Sequence, residues 1–546
     1  MLFRGGLAFL FACVCMLAVA QTTIPSKRYL LIPVDDRPAT SQFAAMIGDI
    51  ASVEVDVPPQ ETLGKFTTPG SPDKVLDWLE SLDLSGYDAV IASTDMFLYG
   101  GLIASREPRT SIEDARKYLR RFVAIRKKYP SIPFYGFSSV MRLSPTSTDQ
   151  NKPYRELLVR AVVYRERVAK RQDLESLVFF HYNLARLPNG ALDRYDESRY
   201  RNFHLQRDLL KAVKGNLFNY FIVGQDDAQP EGPNVPETQH LMELSELLDC
   251  REQVYFCEGI DQHSNVLVSR ALTQSMRWTP KVRIVVADPL GMNTIPSYES
   301  STLATSLREQ LEATGAEYAK NPLVYDYSLY INTPAPRQAQ FNEFLDNLST
   351  ELEQGFPVAV ADVNLGKTGT GDPLLFDALN TSGRAMRLLS YSGWNTAGNT
   401  LGTAIPAANV YLLSRRMSSV DQLRRELQQR SFLLHRLVND FEYHRYTRPQ
   451  AYAMLDQRKT SRDEVYGEVL DQVNNFVKLD ISQRLESLFT KQFEGKRFFA
   501  GTRQYELNQL SNIEVSLPWP RAFEVKIDFT MDAIEVGAKD ALADAR

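Results

Sequence analysis

The feature that most limits what this chain can become is an alternation. Short apolar runs at 29–34, 52–57, 89–93, 133–138, 177–180, 218–223, 254–256, 282–286 and 357–361 read as strands. Between them, 72–81, 112–128, 154–171, 200–214, 265–271, 302–314 and 338–353 carry apolar residues at helical spacing. Apolar strands that alternate with amphipathic helices argue for an α/β fold of repeated parallel β/α units, not an all-β or all-α one. The strands outnumber those of a single eight-stranded barrel, so two lobes broken within 249–279 are preferred to an irregular barrel. From about Ser418 the pattern changes. Segments 418–441, 450–455 and 462–493 are charged, helical in spacing and nearly free of glycine. They read as a C-terminal helical module. Alternation at 513–517 and 523–529, around Pro518-Trp519-Pro520, adds a small β appendage. The expected organisation is a leader over 1–20, an N-terminal lobe over 27–250, a second lobe over 251–415 and the C-terminal region over 416–546.

The leader carries the expectation of export. Arg4 precedes an apolar run at 7–19, and Ala18-Val19-Ala20 offers a small-x-small cleavage site before Gln21. That run is short for a bilayer span. The expected protein is therefore secreted or periplasmic, with no membrane contact after cleavage. A formal net charge of −5 gives no global drive toward nucleic acid. Cys250 and Cys257 flank a turn and a short strand, so one local disulfide and two buried thiols both fit.

Acidic residues follow the strands. Asp35 and Asp36, Asp95, Asp226 and Asp227, Asp261, Asp288 and Asp362 each stand just past an apolar run. In parallel α/β folds the carboxyl ends of the strands share one rim, so several of these groups are expected around one cleft. Carboxylates crowded together repel, which raises some pKa values or demands a cation; general acid-base chemistry uses such settings. Asp is also favoured after a strand as a turn and helix cap, which accounts for part of the set. The doublets Asp35-Asp36 and Asp226-Asp227 exceed that need, because a cap takes one carboxylate. Arg37 and Arg106 are the expected counter-charges. His181 and His263 sit where site residues would, yet no HExxH pattern occurs. An oxygen-only divalent cation site built from the Asp residues stays open. The loop at 366–372 lacks the full phosphate-loop order, and no GxSxG elbow is present.

A second focus is the stretch from Tyr391 to Gly402. It follows an apolar run at 385–390, read as a strand, and turns through Gly393-Trp394-Asn395-Thr396 into a helical segment. Trp394 offers an aromatic platform, and Asn395 and Asn399 offer paired donors and acceptors suited to a neutral polar ligand. The alternative is a plain strand, turn and helix, with Trp394 in the core and the Asn residues as caps.

Three motifs in this order resemble a bacterial family known as domain of unknown function 4127. They are Pro33-Val34-Asp35-Asp36-Arg37-Pro38, then Asp95 with Tyr99-Gly100-Gly101-Leu102-Ile103-Ala104-Ser105-Arg106, and the Gly393-Trp394-Asn395-Thr396…Asn399-Thr400-Leu401-Gly402 stretch. The resemblance runs from about Tyr29 into the C-terminal region and implies one unit; it carries over no activity, cofactor or residue role. From the residues themselves the leading expectation is an exported hydrolase of glycosidase type acting on a small-molecule or oligosaccharide substrate. Asp36, Asp95, Asp226 and Asp227 would do the chemistry. Asp35, Arg37, Tyr99, Arg106, Asn364, Trp394, Asn395 and Asn399 would bind substrate. A metal-dependent amide or ester hydrolase using a divalent cation, and a non-enzymatic two-lobed solute-binding protein, are the alternatives.

Overall fold

A computed structural model describes residues 27–366, 369–381 and 383–537. The expected leader lies outside them, as do Lys367 and Thr368 of the glycine-rich loop. Two parallel sheets form the body. The first contains β1 (Lys27–Ile32), β2 (Val53–Asp56), β3 (Ala89–Ser93), β4 (Phe134–Val140), β5 (Tyr220–Gln225) and β6 (Val254–Glu258), in the order β2-β1-β3-β4-β5-β6. The second contains β7 (Lys281–Val286), β8 (Glu317–Tyr318), β9 (Tyr327–Asn332), β10 (Val358–Asp362) and β11 (Ser390–Ser392), in the order β11-β10-β9-β7-β8. Every residue of β3, β4, β5, β9 and β10 is buried. Helices cover both faces of these strands, which explains runs that are continuously apolar instead of alternating.

Read from β8, the second sheet repeats the plan of the first: the second strand lies on one side of the first strand, and later strands on the other. Each sheet therefore reverses direction between its first and third strands, at β1/β3 and at β7/β9. Such a switch point opens a crevice at the carboxyl ends of the strands.

The local signals behind the helices are ordinary ones. Ser71 accepts from Lys74 N at the start of helix Pro72–Ser81, whose first turn holds Pro72. Ser111 caps helix Ile112–Lys128, which has Glu113 and Asp114 in its first turn and Arg126, Lys127 and Lys128 in its last, matching the helix dipole.

Some elements differ from the sequence expectation. The run 177–180 lies inside helix Leu174–Leu184, started by Asp173, which accepts from Ser176 N. Four apolar residues are too few to tell a strand from a helix turn, and the cap decided it. The run 385–390 opens as a 3-10 turn, Ala385–Arg387, and becomes strand only at β11. The sequence put the lobe boundary at 250/251. β6 and helix His263–Ser275 continue the first lobe, so the sheet changes between 275 and 281. Cys250 and Cys257 are free, buried thiols.

The C-terminal region is helical followed by the antiparallel sheet of β12 (Arg497–Ala500), β13 (Arg503–Ser516) and β14 (Lys526–Glu535). Helix Gln422–Arg436 continues without a break through a π-helical segment, Leu437–Thr447, into helix Arg448–Gln457. Wide π turns are rare, and this one begins beside two buried charges. Arg436 and Asp440 are both fully buried and pair at 2.8 Å. Arg436 also stacks over the Phe43 ring, 3.5 Å from its centroid, and its Nη2 lies 2.7 Å from His435 Nδ1. Asp440 accepts from Ser392 Oγ and Gly393 N at the end of β11, each at 3.0 Å.

One pair thus joins the first lobe, the second lobe and the C-terminal region. Removing a single partner strands a buried charge, which costs about 3–5 kcal/mol. Asp440→Ala is expected to lower the urea midpoint by that amount of stability. The double change Arg436→Met with Asp440→Leu should restore most of it. A double variant no more stable than Asp440→Ala would mean the pair does more than neutralise itself.

Candidate functional site

The carboxyl ends of β1, β3, β4, β5 and β6 bring most of the expected residues together. Past β1, Arg37 donates to Asp35 (Nη2 to Oδ2, 2.7 Å) and bridges to Asp261 past β6 at 2.8 Å. Arg106 reaches Asp226 past β5 at 2.5 Å and donates to Thr146 Oγ1 at 2.7 Å. Arg142, past β4, pairs with Asp227 at 2.5 Å. Asp95, in the turn after β3, accepts from Ser139 N and Ser139 Oγ on β4. Asp36 accepts from the Trp519 indole N–H at 2.6 Å, and Arg37 lies over the same ring. The C-terminal appendage therefore reaches back to the first strand.

The glycines of the second motif fix this rim. Gly100 has φ +87°, and a Cβ there would fall 2.4 Å from Gly70 O. The loop before helix Pro72–Ser81 is held against the β3 turn at a distance only glycine allows. Gly101 N then bonds Asp95 O, and Leu102 N bonds Val34 O, so the turns after β1 and β3 are tied together.

Burial governs the electrostatics of the rim. It pushes Asp36 up to about 6 against the pull of the Trp519 hydrogen bond. It pushes Asp95 up to about 6 against the hydrogen bonds from Ser139. Asp227 is raised by burial, with Arg142 opposing and Asp226 adding to the rise. Asp261 is raised by burial, with Arg37 opposing. Asp227 also feels Arg106 and Arg37, Asp261 feels Asp226, and Asp95 feels Asp226. These groups share one field. Of the carboxylates, Asp36 and Asp227 are partly exposed, whereas Asp35, Asp95, Asp226 and Asp261 are buried.

The other expected residues lie elsewhere. Tyr99 is buried beneath Arg201, which sits 4.4 Å over its ring. Asn364 belongs to the rim of the second sheet, where it donates to Asp372 and accepts from Ala335 N. Next to it Asp362, fully buried, accepts from Asn332 and Asp372 N, and burial pushes it up to about 7. Asp288 is taken by Arg337. In place of an exposed platform, the Trp394 ring is 7% exposed and meets Phe43 edge-on at 5.8 Å. Asn395 donates to Asn399 Oδ1, and Asn399 donates to Gln262 Oε1 in the first lobe. This stretch closes the seam between lobes, because the helix it starts, Ala397–Ser414, packs on helix His263–Ser275. His263 is fully buried in that second helix, and His181 lies on helix Leu174–Leu184.

Sequence reasoning missed Arg142, Ser139, Trp519 and Tyr298 as rim residues. Tyr298 is exposed, takes φ +67°, and its carbonyl accepts from Ala228 N just past β5. A left-handed tyrosine is strained, and such strain clusters at functional sites. Among the described residues no group of three or more His, Cys, Asp or Glu side chains is arranged to hold a metal ion.

A family model described as "protein of unknown function (DUF4127)" matches residues 29–528. The chain belongs to that family. No curated protein and no solved structure matches it. The matched span begins within β1 and takes in the other strands of both sheets and the Trp519 segment, so the rim lies wholly within it.

A second acidic group sits at the seam. Glu258, at the end of β6, accepts from Ser300 N, Ser300 Oγ and Ser301 Oγ through one oxygen, and its other oxygen is buried without a partner. Glu299 accepts from Gly398 N at 2.6 Å, at the start of helix Ala397–Ser414, and its second oxygen is likewise unpartnered. Burial and the neighbouring Glu258 push Glu299 up to about 8, and the same two causes push Glu309 up to about 8.

Both folded values lie above the ordinary 4.5. The native state therefore holds protons that the unfolded chain has released, and this contribution to stability falls as pH rises from 4.5 to about 8. Glu299→Gln should flatten that slope. Relative to the unmodified chain, its urea midpoint is expected to gain steadily between about pH 5 and 8. A constant difference across that window would show that Glu299 folds already ionised.

Proposed function

We propose that this rim is the active site of an exported hydrolase acting on a carbohydrate-like substrate. Asp36 serves as general acid and Asp227 as the second carboxylate. The observation that carries the reading is Asp36: partly exposed, held by the Trp519 indole, and raised to about 6, so that it keeps a share of its proton near neutral pH. Glycoside hydrolysis needs such an acid to protonate the leaving oxygen, together with a carboxylate that activates water or attacks the anomeric carbon. Asp227, partly exposed and paired with Arg142, fits the second role. Asp95 and Asp226 point into Ser139 and Arg106, and act as positioning residues that hold the β3 and β5 turns in place. Tyr298 supplies an exposed ring on which a sugar face can stack. The export part of the reading rests on the leader, and N-terminal sequencing of the mature chain should begin at Gln21.

A panel of oligosaccharides supplies the test. Asp36→Asn and Asp227→Asn are each expected to lower kcat by about 10²–10⁴ on any substrate the chain turns over. Tyr298→Ala should raise KM with little change in kcat. Trp519→Phe removes a donor that favours ionised Asp36, so the alkaline limb of the rate profile should move to higher pH. Turnover unchanged in both Asp variants would overturn the assignment, as would the absence of hydrolysis across the panel.

A further inference from the structure

Helix Leu174–Leu184 wears its apolar residues on the outside. Leu174, Val178 and Tyr182, spaced four apart on one face, are 74%, 58% and 53% exposed, and Leu177 and Phe179 beside them are exposed as well. Its buried residues are Ser176 and Asn183, which is the reverse of an ordinary surface helix. The helix packs chiefly on helix Arg155–Arg171, and the two belong to an insertion between β4 and β5 with a small core of its own. A contiguous exposed apolar patch of this kind marks a docking surface.

Charge narrows the occupant. Residues 152–194 carry nine Lys and Arg against five Asp and Glu, within a chain whose net charge is −5. Lys170 and Arg171 stand just before the apolar helix, Arg171 paired with Glu231 at 2.9 Å. Arg186 stands just after it, 3.4 Å over the Tyr182 ring. A second copy of the chain docking through this patch by twofold symmetry would set these cations against themselves. A helix with an outward apolar stripe, an aromatic ring at one edge and flanking cations suits the boundary layer of an anionic bilayer. There the stripe enters the acyl region and the cations meet the headgroups. No helix among the described residues is long and apolar enough to cross a membrane, so the contact would be interfacial.

We propose that helix Leu174–Leu184 docks the protein on an anionic membrane surface, with Leu174, Val178 and Tyr182 inserted and Lys170 and Arg186 against the headgroups. This proposal departs from the expectation of no membrane contact after leader cleavage. The proposal does not depend on the hydrolase reading, since the helix is not part of the rim.

Flotation of the full mature chain with phosphatidylcholine vesicles, with and without phosphatidylglycerol, provides the test. Binding is expected with the mixed vesicles and should weaken as salt is raised. The double variant Leu174→Asn with Val178→Asn should bind about tenfold more weakly or worse. Lys170→Glu with Arg186→Glu should abolish the preference for phosphatidylglycerol. All four positions are exposed, and unchanged thermal melts would confirm folding. No flotation at low salt, or flotation indifferent to both variants, overturns the proposal. So does a concentration-dependent dimer or a complex with an acidic protein that the apolar variant dissolves while vesicle binding persists.

Discussion

A guanidinium with no access to water needs a counter-charge close at hand, and Arg436 finds it on its own helix while another lobe covers its face. Its carboxylate comes from Asp440, one turn along the same helix. Its π face comes from Phe43 on a helix of the first lobe, and its third contact from His435. Asp440 in turn spends its second oxygen on the end of β11. Three parts of the chain therefore meet around this one pair. The Trp394 turn, which follows β11, inherits its position from that meeting: Phe43 touches both the Arg436 guanidinium and the Trp394 ring.

Once the seam is fixed this way, the rims of the two sheets acquire different characters. At the second-sheet rim the carboxylates are held by near neighbours. Asp362 is capped by Asn332 and the Asp372 amide, Asp288 is taken by Arg337, and the β11 turn is pressed against the first lobe. The first-sheet rim keeps two carboxylates partly open and is covered on one side by Trp519 from the appendage. Equal topology thus carries two differently partnered sets of strand-end carboxylates.

Much of this was legible in the sequence, and the parts that were not share a cause. Parallel β/α units follow from apolar runs such as 89–93 and 282–286, and the strand-end carboxylates could be read directly, because the rim of a parallel sheet collects whatever follows its strands. Partners far along the chain could not be read. Trp519 meets Asp36 across 483 residues, and nothing local to either distinguishes that tryptophan from Trp394. Both stand in small, turn-forming surroundings, and both rings end up buried: Trp394 against Phe43, Trp519 against Phe66 and Arg37. The run 177–180 failed for a complementary reason. Its residues are apolar and aromatic enough for a strand, but Asp173 caps a helix, and the apolar side faces outward, so the usual link between apolar character and burial is broken.

That broken link and the buried acids are two sides of one pattern. A chain of ordinary composition, 44% hydrophobic and 24% charged, places Arg436, Asp440, Glu258, Glu299, Asp95 and Asp226 inside while leaving Leu174, Val178 and Tyr182 out. Folding alone favours neither choice. Buried charges are dear unless paired, and exposed apolar stripes invite association. The buried acids cluster where the first-sheet rim and the lobe seam need fixed, directional contacts. The exposed stripe lies on an insertion that neither sheet requires for its core. Departures from the expected pattern thus include the rim, the seam and the outer helix, the places where fixed polar contacts or an outside partner can repay them.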